Sequence, residues 1–321
     1  MRATVFDGQL RLVTDRAIPQ PPPGEVRVRT TLAGICNTDL EVIGGYAGFQ
    51  GVLGHEFVGI VDQAQDPELV GKRVVGEINA ACGVCDTCLA GRPTHCSQRT
   101  ALGIRGRDGV LAEYFCLPAG NLHLVPDEMP DRVAVFTEPL AAACQILEQV
   151  HVQPSDRVVV LGDGKLGLLV AQVLALTGCD LIAVGRHPEK LAILADALGG
   201  RAGIATQPGE QVQPGSIDLV VECTGRPEGF RAARRLIRPR GTLILKSTYH
   251  GLVPTDLSGL VVDEIRVVGS RCGPFPAALR LLARQLVDVT PLIAAEYSLD
   301  QALAAFEHAG RRGTLKVLVG P

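Results

Sequence analysis

The sequence predicts an α/β protein of two domains: a doubly wound parallel sheet and an irregular, mostly antiparallel β domain. Three observations lead to this prediction. The 321 residues exceed the size at which a single hydrophobic core usually keeps growing. Up to about residue 140, short β-rich segments are separated by Gly, Pro and Asn, which is typical of antiparallel structure. Beyond it, strands alternate with helices, which is typical of a doubly wound sheet.

The alternating block contains strands predicted at 157–162, 180–185, 202–205, 217–223, 241–246 and 264–270, with helices at 165–177, 188–198 and 228–237. The last stretch returns to mixed character, with helices near 276–286 and 299–309 and a closing strand at 314–320. We therefore expect the chain to leave its first domain, build the second and come back. The predicted bounds are 1–142 with 270–321 for the β domain, and 143–269 for the doubly wound domain.

Charge and hydropathy exclude several classes of partner. The net charge is −3 with both signs well mixed, and the hydrophobic content is 46%. The one dense basic run, RAARRLIRPR at 231–240, has arginine spacings compatible with the solvated face of a helix, so no nucleic-acid partner is predicted. The first residues do not resemble a secretory signal, and nowhere do 18 apolar residues run together. We expect a cytoplasmic protein without a membrane partner.

A glycine-rich loop follows the first strand of the alternating block. Gly162, Gly164 and Gly167 form G-x-G-x-x-G directly after an apolar strand and at the start of an apolar-periodic helix. The glycines permit a tight turn, close approach of a pyrophosphate and close packing of helix on strand. The helix N-terminus offers N–H groups and positive potential to the same anion. The loop, including Lys165 and Leu166, therefore predicts dinucleotide binding.

The end of the second strand indicates which dinucleotide is bound. A site for NAD usually places an acidic residue about 20 positions after the glycines, where it accepts a hydrogen bond from the ribose 2′-OH. Here that position holds Gly185, and Arg186 and His187 follow it. A guanidinium is well shaped to hold a 2′-phosphate. We therefore expect NADP in preference to NAD, the alternative being that Arg186 is a surface residue and NAD binds without a carboxylate.

Four cysteines crowd the stretch 82–96: Cys82, Cys85, Cys88 and Cys96. Four thiolates on one short loop can enclose a tetrahedral ion, and a closed all-thiolate shell is typical of structural zinc. An iron–sulfur cluster is the alternative, but its usual spacing places the fourth cysteine after three residues with a proline behind it. Here the gap is seven residues and Ser97 follows. A saturated site has no place for substrate, so chemistry is expected elsewhere.

A second metal-binding set is predicted in the first domain. The segments GICNTDL (34–40) and GHEFVGIV (54–61) supply the thiol of Cys36, the imidazole of His55 and the carboxylate of Glu56. These three groups suit a catalytic zinc that keeps one position open. Because adjacent residues of an extended segment face opposite ways, a local bend would be needed for His55 and Glu56 to bind one ion.

These motifs, in this order, resemble those of the zinc-dependent medium-chain dehydrogenases/reductases, which include alcohol, polyol, threonine and glucose dehydrogenases. The resemblance covers essentially the whole chain. It implies a GroES-like catalytic domain with a structural zinc lobe at about 80–98, a Rossmann domain, and two zinc ions per chain. It also implies that Cys36 and His55 are catalytic zinc ligands, that Glu56 is a ligand or a nearby carboxylate, and that Thr38 relays the alcohol proton.

The third ligand position of the family falls in FTEPLAAAC (136–144), where Glu138 resembles the glutamate of the polyol and sugar dehydrogenase branches. Pro139 is expected to hold Glu138 in an extended conformation. The family lines the nicotinamide with segments that resemble ECTG (222–225), which contains Thr224, and KSTYH (246–250).

The resemblance implies an NAD(P)-dependent alcohol or polyol dehydrogenase that moves a hydride between a secondary alcohol, polyol or sugar hydroxyl and the nicotinamide. Two alternatives remain: a zinc-independent quinone or enone reductase, which would lose Cys36 and His55, and a non-enzymatic NADPH- and zinc-binding sensor or scaffold, which needs neither Thr38 nor Glu138. The family also implies a homodimer or homotetramer, with the predicted strand at 264–270 as the seam.

Overall fold

The structure is a computed structural model that describes residues 1–206, 212–248 and 252–321. The last two residues of the predicted nicotinamide-lining segment 246–250 lie outside the described residues. The chain divides into two compact units, Met1–Glu138 with Phe275–Pro321, and Pro139–Pro274. Among the described residues, no helix reaches the length and apolarity needed to span a bilayer.

The strands follow one another along the chain as β1 (Ala3–Phe6), β2 (Leu10–Val13), β3 (Glu25–Ile35), β4 (Gly51–Val52), β5 (Glu56–Gln63), β6 (Arg73–Gly76), β7 (Asn79–Ala80), β8 (Thr100–Leu102), β9 (Gly106–Arg107), β10 (Tyr114–Pro118), β11 (Leu122–Leu124), β12 (Arg157–Leu161), β13 (Asp180–Val184), β14 (Gly203–Ala205), β15 (Ile217–Glu222), β16 (Ile237–Leu245), β17 (Arg266–Gly269), β18 (Ile293–Ser298) and β19 (Lys316–Gly320).

The α-helices are α1 (Asn37–Ile43), α2 (Asp86–Leu89), α3 (Asp131–Ala134), α4 (Thr137–Gln149), α5 (Lys165–Ala175), α6 (Pro188–Leu198), α7 (Pro227–Leu236), α8 (Leu257–Val262), α9 (Phe275–Ala283) and α10 (Ala302–Gly310). Short 3-10 turns lie at Tyr46–Gly48, Pro67–Leu69, Pro93–His95, Ala119–Asn121, Thr290–Leu292 and Leu299–Gln301.

The first unit is built around a sheet with the strand order β11-β6-β5-β3-β19-β18, in which β10 also pairs with β3. Its pairs are antiparallel except for β18 with β19. The long strand β3 alternates β-branched and charged residues, and its Val26, Val28 and Thr30 are buried. The start of β5 and the start of β19 both lie beside the end of β3, since Glu56 pairs with Gly34 and Val317 pairs with Ile35.

The second unit is a six-stranded parallel sheet with the order β14-β13-β12-β15-β16-β17. The central strand β12 is an unbroken apolar run whose residues 158–161 are all buried, as expected of a parallel strand covered on both faces. Leu161, its last residue, pairs with Val184 at the end of β13. The loops after these two strands therefore begin side by side. The predicted fold class is confirmed.

Some predicted elements differ in detail. Helix α7 ends at Leu236, so the basic run 231–240 is not one helical face. Pro239 biases Arg238, the residue before it, toward extended backbone, and both Arg238 and Arg240 fall within β16. They form ion pairs with Asp218 and Glu264, respectively. The structure also has helix α8 and strand β18, which the sequence pattern did not predict.

Candidate functional site

The thiol of Cys36, the imidazole of His55 and the carboxylate of Glu56 come together in the first unit. One ligand atom from each lies within 4.8 Å of the others. Cys36 directly follows β3 and caps α1, while Glu56 opens β5 and pairs with Gly34 at the end of β3. His55 lies just before the strand begins, so its side chain and that of Glu56 need not point to opposite faces of the sheet. This arrangement supplies the bend that the sequence argument required.

Asp39, which was not predicted as a site residue, contacts this set through both of its carboxylate oxygens. Its side chain is fully buried, and its Oδ2 accepts a hydrogen bond from the backbone N–H of Cys36 at 2.7 Å. Its Oδ1 accepts one from the N–H of Gly54 at 3.2 Å and lies 3.1 Å from Nδ1 of His55. A carboxylate on one ring nitrogen fixes the tautomer and leaves Nε2 free for a metal. The available signal was the acid three residues after Cys36, at the capping-box position of α1.

The protonation of His55 depends on the same neighbours. Burial lowers the pKa of this imidazole, but the charge and hydrogen bond of Asp39, together with Cys36, raise it well above its ordinary value. A metal ion would therefore have to displace a proton from His55, and metal affinity at this set falls as the pH falls.

Glu56 makes a buried ion pair with Lys316, the first residue of β19. Both side chains are almost inaccessible, at 0% and 2% exposure. Lys316 Nζ donates to Oε2 of Glu56 and lies 5.9 Å from the ring centre of Phe136. Burial lowers the pKa of Lys316, but Glu56, Cys36 and Glu138 raise it overall, so the ammonium stays charged. Oε1 of Glu56 is buried and has no hydrogen-bond partner among the described residues, so it remains available to a cation.

Thr38 contacts the set, whereas Glu138 is not part of it. Thr38 Oγ1 is 3.7 Å from the sulfur of Cys36, so this hydroxyl stands beside the proposed metal position. The prediction that Pro139 holds Glu138 extended is wrong, because Glu138 lies in the first turn of α4. Proline fits that turn, where its missing N–H would have no helical partner in any case. Among the described residues, Glu138 does not join the set within 4.8 Å, although its charge acts on Lys316.

The four cysteines of the 82–96 loop form a second cluster, shaped by α2 and by the 3-10 turn Pro93–His95. Cys85 Sγ is 3.5 Å from the sulfur of Cys88 and 3.8 Å from that of Cys96. Cys82 Sγ is 3.6 Å from Cys96 and 4.0 Å from Cys88. A tetrahedral zinc with bonds of about 2.3 Å separates its sulfurs by about 3.8 Å, so the cluster fits that ion.

Thiol acidity differs from one cysteine of the cluster to another. Backbone hydrogen bonds from Cys82 and Gln98 lower the pKa of Cys96 to about 6, despite its burial. Burial and the neighbouring thiols raise the pKa of Cys88 to about 12. A cation that took all four sulfurs as thiolates would therefore release protons on binding.

The glycine-rich loop of the second unit has the form that a pyrophosphate requires. Gly162 has φ +116°, and a Cβ there would lie 2.6 Å from the carbonyl oxygen of Cys223. A Cβ at Gly164 would meet nothing within 4 Å, so the space in front of this residue is open. Lys165 and Leu166 form the first turn of α5, and Gly167 packs against Gly162. The loop could therefore hold the phosphates of a dinucleotide.

Asp163, between the first two glycines, is the other residue that the sequence argument missed. Its Oδ2 accepts hydrogen bonds from the backbone N–H groups of Arg186 and His187 at 2.6 and 2.7 Å, and lies 3.0 Å from Nδ1 of His187. Arg186 itself is exposed.

Thr224 lies after β15, and its N–H and hydroxyl donate to Oε1 of Glu222 at 2.7 and 2.5 Å.

Comparison with known proteins identifies the family. Residues 22–127 match the model of the alcohol dehydrogenase GroES-like domain, and residues 166–285 match that of the zinc-binding dehydrogenases. A sorbitol dehydrogenase from Halalkalibacterium halodurans is 30% identical over 94% of both chains. The chain belongs to the medium-chain dehydrogenase/reductase superfamily. The resemblance predicted from the sequence is thereby confirmed.

Solved structures agree with this assignment. A zinc-binding dehydrogenase from Sinorhizobium meliloti 1021, bound to NADP, superposes with a TM-score of 0.88 at 29% identity, over 100% of this chain and 99% of that one. An alcohol dehydrogenase from Escherichia coli CFT073, in complex with NADH, gives a TM-score of 0.90 at 26% identity with the same coverage. Family membership makes this chain an oxidoreductase.

Replacing Asp39 tests its support of the metal-binding set. We expect Asp39→Asn to bind zinc about 10- to 100-fold more weakly at Cys36, His55 and Glu56, because His55 and the backbone of Cys36 lose a charged partner. Titration of the zinc-loaded protein with a chromophoric chelator measures the release of the weaker ion. Asp15→Asn, an exposed acid of the same unit, is the control. Identical titrations for the two variants would show that Asp39 does not support the set.

Replacing Lys316 tests the buried ion pair. In the metal-free protein we expect Lys316→Met to lower the free energy of unfolding by about 3–5 kcal/mol, because Glu56 is left charged and unpaired. Urea unfolding followed by circular dichroism measures the change, with exposed Lys72→Met as the control. The double variant Lys316→Met/Glu56→Gln should recover most of the loss. A single variant as stable as wild type would contradict the assignment.

Proposed function

We propose that this protein is a zinc-dependent dehydrogenase that transfers a hydride between a secondary alcohol, polyol or sugar hydroxyl, or the matching carbonyl, and a nicotinamide dinucleotide. The observation that carries the proposal is the convergence of Cys36, His55 and Glu56, with one carboxylate oxygen of Glu56 buried and without a partner. The sorbitol dehydrogenase relative supports a polyol-like substrate.

The proposed roles follow from the contacts of each side chain. Cys36, His55 and Glu56 would hold the reactive zinc, with Glu138 as a further carboxylate beside it, and Cys82, Cys85, Cys88 and Cys96 would hold the structural zinc. A zinc ion bound at the first set would act as a Lewis acid on the substrate oxygen. Thr38 Oγ1, beside the sulfur of Cys36, is placed to take up the hydroxyl proton and pass it on.

Residues outside the ligand set maintain it. Asp39 orients His55, and the ammonium of Lys316 offsets the charge of the buried Glu56 carboxylate. In the second unit, the loop with Gly162, Gly164, Lys165, Leu166 and Gly167 is proposed to bind the pyrophosphate, and Thr224 to lie near the nicotinamide. The proposed domains are 1–142 with 270–321 for catalysis, and 143–269 for the dinucleotide.

The two alternatives have less support. A zinc-independent quinone or enone reductase has no use for a thiol, an imidazole and a carboxylate gathered within 4.8 Å. A sensor or scaffold has no use for a hydroxyl beside that set.

An assay of metal content and cofactor reduction tests the proposal. We expect two zinc ions per chain, and reduction of NAD or NADP with at least one member of a panel of polyols, sugars and secondary alcohols. Cys36→Ser should lose one ion and lower kcat at least about 100-fold, because the reactive ion then lacks a ligand. Cys116→Ser, a half-buried single cysteine of the same unit, is the control. Full activity in Cys36→Ser would rule out the zinc mechanism.

We also propose that the protein is a homo-oligomer that associates through the edge of the second unit. Strand β17 is the last strand of its sheet, and Val267 on it is 43% exposed. The preceding helix α8 exposes Leu257, Val261 and Val262 at 68%, 76% and 79%. An open edge beside apolar side chains favours pairing with a second copy.

Charges placed on that surface test the association. We expect the double variant Val261→Asp/Val262→Asp to convert the wild-type oligomer into smaller species, because two carboxylates would be desolvated at the contact. Sedimentation velocity at matched protein concentrations measures the mass. Leu124→Asp, an exposed apolar position of the first unit, is the control. An unchanged mass in the double variant would place the contact elsewhere.

A further inference from the structure

The carboxylate of Asp163 occupies the place where the second strand would otherwise carry its side chain. Leu161 at the end of β12 pairs with Val184 at the end of β13, so the residues that follow lie next to each other across the sheet. A Cβ built on Gly185 would lie 2.5 Å from both Cβ and Oδ2 of Asp163. No side chain fits at 185 while Asp163 keeps this position. The glycine at 185 and the acid at 163 are therefore complementary.

Asp163 also occupies the N–H groups that a phosphate would use. Both the Arg186 and His187 N–H groups donate to Oδ2, at the start of α6, whose N-cap is His187. Burial raises the pKa of Asp163, but the hydrogen bonds from His187 and Arg186 lower it overall, so the carboxylate is ionised at neutral pH. Only 8% of the residue is exposed. The N–H groups of the turn after β13 are thus already bound to an anion, the carboxylate of Asp163.

Within the described residues, Oδ1 of Asp163 has no hydrogen-bond partner, in contrast to Oδ2 with its three donors. A carboxylate oxygen at the end of the second strand is the acceptor that a ribose 2′-OH requires. A 2′-phosphate in the same place would face a fixed negative charge at short range, and the N–H groups that could bind it are taken.

We propose that Asp163 selects NAD and rejects NADP, in the role that an acid at position 185 would otherwise have. This inference rests on the proposed dinucleotide-dependent function, and it replaces the preference for NADP that Gly185 and Arg186 indicated. Arg186 is exposed, and its backbone rather than its guanidinium holds the ribose-selecting group in place.

Direct binding measurements on the full-length, zinc-loaded protein test the inference. The chain has no tryptophan, so isothermal titration calorimetry with NADH and NADPH is the suitable method. We expect wild type to bind NADH at least about tenfold more tightly than NADPH, since the 2′-phosphate meets a like charge. Asp163→Asn keeps the shape and removes the charge. It should raise the ratio of NADPH to NADH affinity by about tenfold or more.

A transplanted carboxylate is the matched second variant. Asp163→Gly/Gly185→Asp moves the acid to the strand and removes the clash, so it should restore the preference for NADH that Asp163→Gly alone loses. Thermal unfolding of each variant checks that the fold is retained. Arg186→Ala should change the NADH affinity less than about threefold, because the backbone N–H remains.

The outcomes separate this inference from the proposed function. If wild type binds neither NADH nor NADPH, the proposed function itself fails. If wild type binds NADPH more tightly, or if Asp163→Asn and the transplant leave the affinity ratio unchanged, the role of Asp163 is overturned while dinucleotide binding stands.

Discussion

Glu56 is a buried carboxylate, and the set formed by Cys36, His55 and Glu56 in the first unit depends on how its charge is offset. An unpaired carboxylate at 0% exposure would be strongly destabilising, and Lys316 supplies the cation that prevents this. Glu56 opens β5 and Lys316 opens β19, the two strands that flank β3. The ion pair forms only when all three strands are in register. Cys36, which follows β3, then lies close to the carboxylate of Glu56, so we expect the donor set to assemble together with the sheet.

The second unit offsets its buried anion differently. In the described part of the chain, two backbone N–H groups and the ring of His187 contact the carboxylate of Asp163 and stabilise it. Such N–H groups at a helix start carry partial positive charge, as they would for a bound phosphate. The same physical requirement therefore has two solutions in one chain. A side-chain cation leaves Glu56 one open oxygen for a metal, and a backbone cradle leaves Asp163 one open oxygen for a ribose.

The features that the sequence could predict are those encoded locally. The glycine spacing at 162–167 and the four cysteines at 82–96 each lie within one short segment, and periodicity was sufficient for the alternating strands and helices. Lys316 lies 260 residues from Glu56, and Asp163 lies 23 and 24 residues from its two N–H donors, so these contacts come from strand pairing. The rule that a residue before proline is extended predicted the wrong conformation for Glu138. That rule is relaxed in the first turn of a helix, where Glu138 and Pro139 lie.

The two candidate metal-binding clusters differ in how far apart their residues lie in the sequence. The four cysteines can approach one ion after closing a loop of at most 15 residues, and the entropy of closing so short a loop is small. An ion held by these cysteines would therefore require little of the rest of the unit, and it would stabilise the lobe. Cys36, His55 and Glu56 need β3, β5 and β19 in place, because Lys316, the ion-pair partner of Glu56, is the first residue of β19. We therefore expect metal affinity at Cys36, His55 and Glu56 to depend on completion of the sheet, and affinity at the four cysteines to depend on it less.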